Sequence, residues 1–204
     1  GSKLKALGLI SKVKASFLKA AELDATHKEV RWAMVKLYTQ LPGFLGGSYD
    51  KAMIYASELE QLSKAQGYFA KAYIYQNSNQ EELAKTYYKK GLESLKQLAC
   101  FEPKLSNSSH LKAHNNSIHF LVASACVLVN TRHSFGLRYI QFYIDEFSSK
   151  DQEPLEVAYL TQAQLFKVQS KFSEALGSIE KALLVQPNFE QALEEKEIIL
   201  LLKP

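Results

Sequence analysis

The sequence predicts an all-α protein built from paired helices, and three observations support that fold class. Between Glu156 and Asn188 the apolar side chains recur at three- and four-residue steps, the spacing of one helix face. That stretch divides into two short helices, and Pro187 stops the second because proline lacks a backbone donor. The small residues Ala163 and Ala175 stand twelve positions apart, one on each helix, where two antiparallel helices can approach closely.

The same unit recurs in weaker copies along the chain. Small residues repeat the twelve-residue separation at Ala72 and Ala84, and again at Ser124 and Gly136. This pattern resembles the tetratricopeptide repeat, whose period is about 34 residues. The resemblance implies an alpha-alpha superhelix, a right-handed solenoid forming a single domain over residues 1–204. We expect repeat units at about 28–64, 65–98, 117–150 and 156–189, with flanking helices at 3–23 and 189–202.

The first predicted helix is basic and amphipathic, because five lysines precede the first acid, Glu22. These lysines are Lys3, Lys5, Lys12, Lys14 and Lys19. Two interpretations stay open, a solvated helix face and a contact with an anionic membrane surface. Gly1-Ser2 is typical of a cloning remnant, so a natural signal peptide or membrane anchor could have been removed.

After the next helix, predicted over 28–40, the loop from Leu41 to Gly47 combines a proline, three glycines and bulky apolar residues. It lacks the Gly-Lys-Ser/Thr of a nucleotide-binding loop. The loop is similar to an insertion in a group of bacterial tetratricopeptide proteins, which implies an envelope location. We expect Phe44 and Leu45 to fold back over the repeat, with ligand binding by the loop as the alternative. Ser48 is expected to cap the helix over 48–63.

Composition and charge exclude several classes of function. At 204 residues the chain can bury a core without a metal or a disulfide. The net charge of +4 is spread among interspersed acids, which disfavours a nucleic-acid partner. No apolar run approaches the roughly 20 residues of a membrane span. The two cysteines, Cys100 and Cys126, could pair or could both be small packing residues.

Three histidines on one predicted helix, over 110–130, are the strongest candidates for chemistry. His110 and His114 form an i, i+4 pair that can share a divalent metal, whereas His119 lies about 140° round the helix from His114. Surface polarity is the alternative, because no carboxylate or cysteine obviously completes a site. No nucleophile motif occurs, so we expect neither an enzyme nor a cofactor.

The resemblance implies a function, since first helices of successive tetratricopeptide units line the inner surface of the superhelix and hold peptides or partner helices. The predicted function is a non-catalytic scaffold or adaptor, with metal or small-ligand binding at His110 and His114, or self-association through the acidic last helix, as alternatives. Phe69 and Tyr73 are either aromatic anchors for a partner or packing residues against Phe44. The predicted groove residues lie on first helices, away from the packing positions: Met34, Leu37, Gln40, Gln66, Phe69, Tyr73, Gln76, Asn77, Ile118, Leu121, Thr161, Gln164 and Lys167.

The predicted groove is apolar and rich in amides. Tetratricopeptide domains that hold a chaperone carboxylate use lysine, arginine and asparagine in the groove. The matching positions here hold Ala33, Leu37, Phe69 and Tyr73, which disfavours that class of ligand. The predicted partner is another protein, with membrane contact only through a missing anchor. A periplasmic or other envelope location is expected, with the cytoplasm as the alternative, and the oligomeric state is left open.

Overall fold

The computed structural model describes residues 2–98 and 116–203, and over those ranges the chain forms α-helices, one 3-10 turn and the connections between them. The chain divides into two compact units, Gly1–Glu102 and Pro103–Pro204, hereafter unit 1 and unit 2. Unit 1 contains α1 (Ser2–Leu23), α2 (Lys28–Gln40), a 3-10 turn (Gly43–Leu45), α3 (Tyr49–Leu62), α4 (Lys64–Asn77) and α5 (Glu81–Leu98). Unit 2 contains α6 (Ser117–Leu128), α7 (His133–Asp145), α8 (Leu155–Lys167), α9 (Phe172–Val185) and α10 (Glu190–Leu202).

Each helix packs against the next one in its unit, and the even-numbered helices of a unit also contact one another in order. In unit 1, α2 contacts α4 as well as α3. In unit 2, α8 contacts both α6 and α10 besides its neighbours α7 and α9. The predicted all-α fold class is confirmed, and within each unit the helices pair and stack as in an alpha-alpha superhelix. We call α2, α4, α6, α8 and α10 the first helices. Within each unit, every first helix contacts the next first helix along the chain.

Small residues lie where paired helices approach most closely. Ala163 and Ala175 are fully buried between α8 and α9, in a cluster that includes Ile179 and Ile199. A Cβ on Gly136 would lie 2.9 Å from the Cβ of Cys126, so α7 passes too near α6 for a larger residue there. Contact at these positions fixes the spacing of each pair.

Three of the helix pairs are joined by one kind of turn. Asn79, Asn130 and Ser170 have positive φ values of 58°, 47° and 56°. The residue after each donates its N–H to a carbonyl five positions back, as Lys171 does to Phe166 at 3.1 Å. This is the left-handed C-terminal turn that ends many helices and reverses the chain in few residues.

The α2–α3 connection is different, because the loop from Leu41 to Gly47 replaces that turn. Gly46 has φ +88°, and a Cβ on Gly47 would lie 1.7 Å from the carbonyl oxygen of Leu41. The Gly47 N–H donates to the Pro42 carbonyl at 3.1 Å, which closes the loop on itself. The predicted cap at Ser48 is confirmed, since its hydroxyl accepts from the Lys51 N–H at 3.3 Å.

Phe44 does not fold back over the helices as expected. Its side chain is 80% exposed, while Leu45 is half-buried. The loop is closed by its own backbone hydrogen bonds, so it needs no apolar cover from Phe44. The predicted start of a helix at 110 and the residues His110, His114 and Cys100 lie outside the described residues.

Candidate functional site

Three residues of the predicted groove are buried and cannot contact a partner. Met34 and Phe69 are fully buried, and Thr161 is 6% exposed. The Thr161 hydroxyl donates to the Val157 carbonyl of its own helix at 2.9 Å. Their assignment to a binding surface is therefore wrong, because helical spacing alone does not tell which first-helix positions a neighbouring helix covers.

Phe69 is a core residue of the α4–α5 pair. Its ring lies 6.4 Å from that of Tyr88, centroid to centroid. A Cβ on Gly91 would lie 2.6 Å from the Phe69 ring, so the glycine makes room for the phenyl group. The alternative role, packing against Phe44, is also wrong, since the Phe44 ring stays exposed.

Tyr73 lies at the centre of the surface that α2 and α4 share. Its ring meets Trp32 edge-on at 6.4 Å, and its hydroxyl oxygen accepts from the Gln40 amide at 2.8 Å. One turn further on, the Asn77 amide donates to the Tyr73 carbonyl at 2.8 Å. The Tyr49 hydroxyl donates to the Asn77 carbonyl at 2.8 Å, which ties α3 to the end of α4. The Trp32 and Gln40 contacts position the Tyr73 side chain, whereas the hydrogen bonds of Asn77 involve backbone carbonyls.

We call this surface the unit 1 face. Its core is Gln40, Tyr73 and Asn77, with Leu37 and Gln66 half-buried on the same two helices. Gln76 is exposed and accepts a hydrogen bond from the buried Tyr88 hydroxyl at 2.7 Å, so it faces α5. Burial of that phenol raises the pKa of Tyr88 above its ordinary value, which keeps it a neutral donor. The unit 1 face therefore combines one aromatic ring with neutral amides, and the Lys36 ammonium lies beside it, 6.0 Å from the Trp32 ring.

The remaining predicted residues lie in unit 2, on α6 and α8. Ile118, Leu121, Gln164 and Lys167 are half-buried. Lys167 forms an ion pair with Glu195 of α10 at 2.7 Å, with side-chain exposures of 22% and 9% respectively. The pair neutralises Lys167 and joins two first helices, α8 and α10.

Sequence reasoning missed a polar network between α7, α8 and α9. The Gln162 amide donates to Gln141 at 3.0 Å, and its carbonyl oxygen accepts from the buried Ser178 hydroxyl at 2.9 Å. It also missed the contact of Trp32 with Tyr73 and the hydrogen bond from the Tyr49 hydroxyl to the Asn77 carbonyl. No spacing rule could have identified these partners, because they come from different helices.

Two titratable groups in unit 2 are held in their neutral forms. Burial lowers the pKa of His119, partly offset by Glu146, and its Nδ1 lies 3.1 Å from the Asn116 side-chain oxygen. Burial raises the pKa of the Cys126 thiol to about 11, so it stays protonated and unreactive at neutral pH. Among the described residues no group of three or more His, Cys, Asp or Glu side chains could hold a metal ion. No described helix is long and apolar enough to cross a membrane.

Comparison with known proteins adds little to this geometry. No protein-family model matches the sequence, and no curated protein matches it. The crystal structure of YrrB, described as a TPR protein with an unusual peptide-binding site, is similar at 16% sequence identity with a TM-score of 0.40. That likeness covers 89% of this chain and 97% of the YrrB chain. It concerns the fold alone, and we argue no function from it.

Proposed function

We propose that this protein is a non-catalytic protein-interaction module whose unit 1 face binds a peptide segment or a helix of another protein. The observation that carries the proposal is the position of the Tyr73 side chain, whose ring meets Trp32 edge-on and whose hydroxyl accepts from the exposed Gln40 amide, with the exposed Asn77 one turn further along α4. An aromatic side chain that is already held in place loses little entropy when a partner packs on it. Amide groups carry both donors and acceptors, which suits a peptide backbone.

The chemistry of the unit 1 face favours a neutral partner. Gln40, Gln66, Tyr73 and Asn77 bring no charge, and Leu37 adds an apolar contact. Lys36 lies nearby on α2, with its ammonium 6.0 Å from the Trp32 ring, but the residues of the face themselves form no cluster of cations for an acidic C-terminal tail. We therefore propose an apolar or neutral polar segment as the ligand.

A peptide selection followed by matched variants tests this proposal. Peptides selected from a random displayed library on the intact protein would be measured for affinity against Tyr73→Ala and Tyr75→Ala. Both tyrosines are half-buried on α4, but Tyr75 stacks on Tyr87 of α5 at 5.2 Å, away from the unit 1 face. We expect Tyr73→Ala to weaken binding by about 10- to 100-fold, as an aromatic anchor does, and Tyr75→Ala to change it little.

Equal loss of affinity in both variants, or in neither, would reject the unit 1 face as the binding surface. Circular dichroism of each variant shows whether the helices persist. A selection that yields only acidic peptides would reject the proposed ligand chemistry.

The wider biological setting is proposed on the resemblance of the sequence to tetratricopeptide repeats. On that basis the helix pairs correspond to four repeat units, at about 28–64, 65–98, 117–150 and 156–189, and the protein acts as a scaffold or adaptor. The similarity of the Pro42–Gly47 loop to an insertion in bacterial proteins supports a periplasmic or other envelope location. Fractionation of cells that express the natural gene, with antibody detection, would test that location.

A further inference from the structure

The connection between α2 and α3 is longer than a reversal of the chain requires. Eight residues, 41–48, separate these helices, whereas three or four separate the helices of the pairs α4–α5, α6–α7 and α8–α9. Those three pairs reverse the chain with the short left-handed turn. Joining two helices therefore does not account for the extra residues. Among them is Phe44, whose side chain is 80% exposed.

The backbone that carries Phe44 is already ordered. Inside the loop, the Leu45 N–H donates to the Pro42 carbonyl at 2.9 Å. At its end, the Ser48 N–H donates to the Tyr38 carbonyl at 2.9 Å, which returns the chain to the helix that it left. A side chain on an ordered backbone loses less conformational entropy when a partner packs on it than one on a disordered loop does.

The loop borders the unit 1 face. Gln40 is the last residue of α2 and Asn77 is the last residue of α4, and the loop begins at the residue after Gln40. Tyr49, the first residue of α3, donates its hydroxyl to the Asn77 carbonyl at 2.8 Å. Four chain steps separate Phe44 from Gln40, which limits the distance between their Cα atoms to about 14 Å. An extended segment of about five residues covers that distance.

The loop favours an apolar ligand group over a charged one. Residues 41–48 include no charged side chain. Pro42 is exposed and Leu45 is half-buried, so the residues nearest Phe44 in sequence are apolar as well. The next charges along the chain, Asp50 and Lys51, are adjacent and opposite in sign, so together they select neither an anion nor a cation.

We propose that Phe44 is a second anchor of the unit 1 face and packs on an apolar side chain of the segment that binds there. This inference rests on the proposed function and adds a requirement to its ligand. The segment contacts Tyr73 with one part and continues past the ends of α2 and α4, where an apolar residue covers the Phe44 ring. Removal of that exposed ring from water supplies the affinity of this second contact.

Peptides of 15 residues, selected from a random displayed library on the intact protein, provide the probe. Their affinities would be measured by fluorescence anisotropy. We expect Phe44→Ala to weaken binding about 10-fold, because an aromatic contact is lost, and to leave thermal unfolding unchanged, because the ring is exposed. Ile54→Ala is the matched control, since Ile54 is an apolar residue of α3 that is 58% exposed and lies outside the unit 1 face. It should bind like the wild type.

An alanine scan of the peptide identifies the side chain that Phe44 contacts. Alanine at one apolar peptide position should weaken binding to the wild type about 10-fold and change binding to Phe44→Ala little, the coupling expected of two side chains in contact. Coupling to a charged peptide residue instead would overturn the apolar assignment. Loss of affinity in Tyr73→Ala but not in Phe44→Ala would overturn the second anchor and leave the proposed function standing. Loss in Phe44→Ala alone, or in neither variant, would refute the unit 1 face together with its extension.

Discussion

The surfaces that the first helices form in unit 1 and unit 2 differ in what holds them together. In unit 1, Tyr73 joins α4 to α2 through the Trp32 ring and the Gln40 amide. In unit 2, the ion pair between Lys167 and Glu195 joins α8 to α10. Neutral aromatic and amide contacts leave unit 1 with groups that suit a peptide, whereas the charges of unit 2 satisfy each other. The same helix arrangement therefore presents two different surfaces.

The largest expected effect on stability comes from a substitution in the core beneath the unit 1 face. Phe69→Ala removes a fully buried ring from between Tyr88 and Gly91, so we expect a loss of about 3–5 kcal/mol in the free energy of unfolding. Urea denaturation followed by circular dichroism measures it. A loss below about 1 kcal/mol, combined with weaker peptide binding, would restore Phe69 as a surface anchor and contradict its burial.

A second variant tests the ion pair of unit 2. Lys167→Ala leaves the Glu195 carboxylate, whose side chain is 9% exposed, without its cation. We expect a cost of about 2–3 kcal/mol, less than for a fully enclosed pair, because Lys167 keeps some contact with water. Lys181→Ala is the control, since that exposed ammonium lies 5.8 Å from the Tyr159 ring and forms no buried pair. Equal unfolding midpoints for the two variants would show that the ion pair does not hold α8 to α10.

A third pair of variants tests the loop from Leu41 to Gly47. Among the helix connections described, a loop of this kind occurs in unit 1 only. Gly46→Ala places a side chain at φ +88°, where L-residues are strained, and should cost about 1–2 kcal/mol. Gly43→Ala meets no atom within 4 Å and has an ordinary φ, so it should cost nearly nothing. Thermal unfolding of the two variants measures the difference. Equal stabilities would indicate that the loop relaxes to another backbone conformation.

The smallest expected effect is a pH dependence confined to unit 2. Because the pKa of His119 is lowered by burial, the unfolded state binds its proton more readily than the folded state. The stability that neutral His119 contributes is therefore fully present above its pKa in the unfolded state, about 6.5, and declines as the pH falls below that value. Hydrogen exchange of α6 and α7 at pH 7 and pH 5 would detect this decline, and His119→Gln should reduce it. Unchanged pH dependence in that variant would assign the effect to another group.

Sequence periodicity located the helices but could not identify the exposed side of each first helix. The steps of three and four residues that predicted α4 place Phe69 and Tyr73 one turn apart on the same side. One is enclosed by α5 and the other remains on the surface, because Gly91 opens a space for the Phe69 ring. Glycine at position 91 was visible in the sequence, yet its partner in space was not.

The loop from Leu41 to Gly47 illustrates the same limit. Its glycines and proline indicated an unusual connection, and Ser48 indicated the cap that follows. The exposure of Phe44 depends on how the loop closes through the Gly47 N–H and the Pro42 carbonyl. That closure is a property of the folded backbone, which residue type does not report.

The sequence alone determined that this chain forms paired helices, because apolar spacing, small residues twelve apart and helix-ending residues are all local signals. Only the tertiary structure decided which residues of those helices stay exposed and which face the core. A side chain is buried by what lies opposite it, and for Phe69, Lys167 and Tyr73 the opposing groups come from other helices.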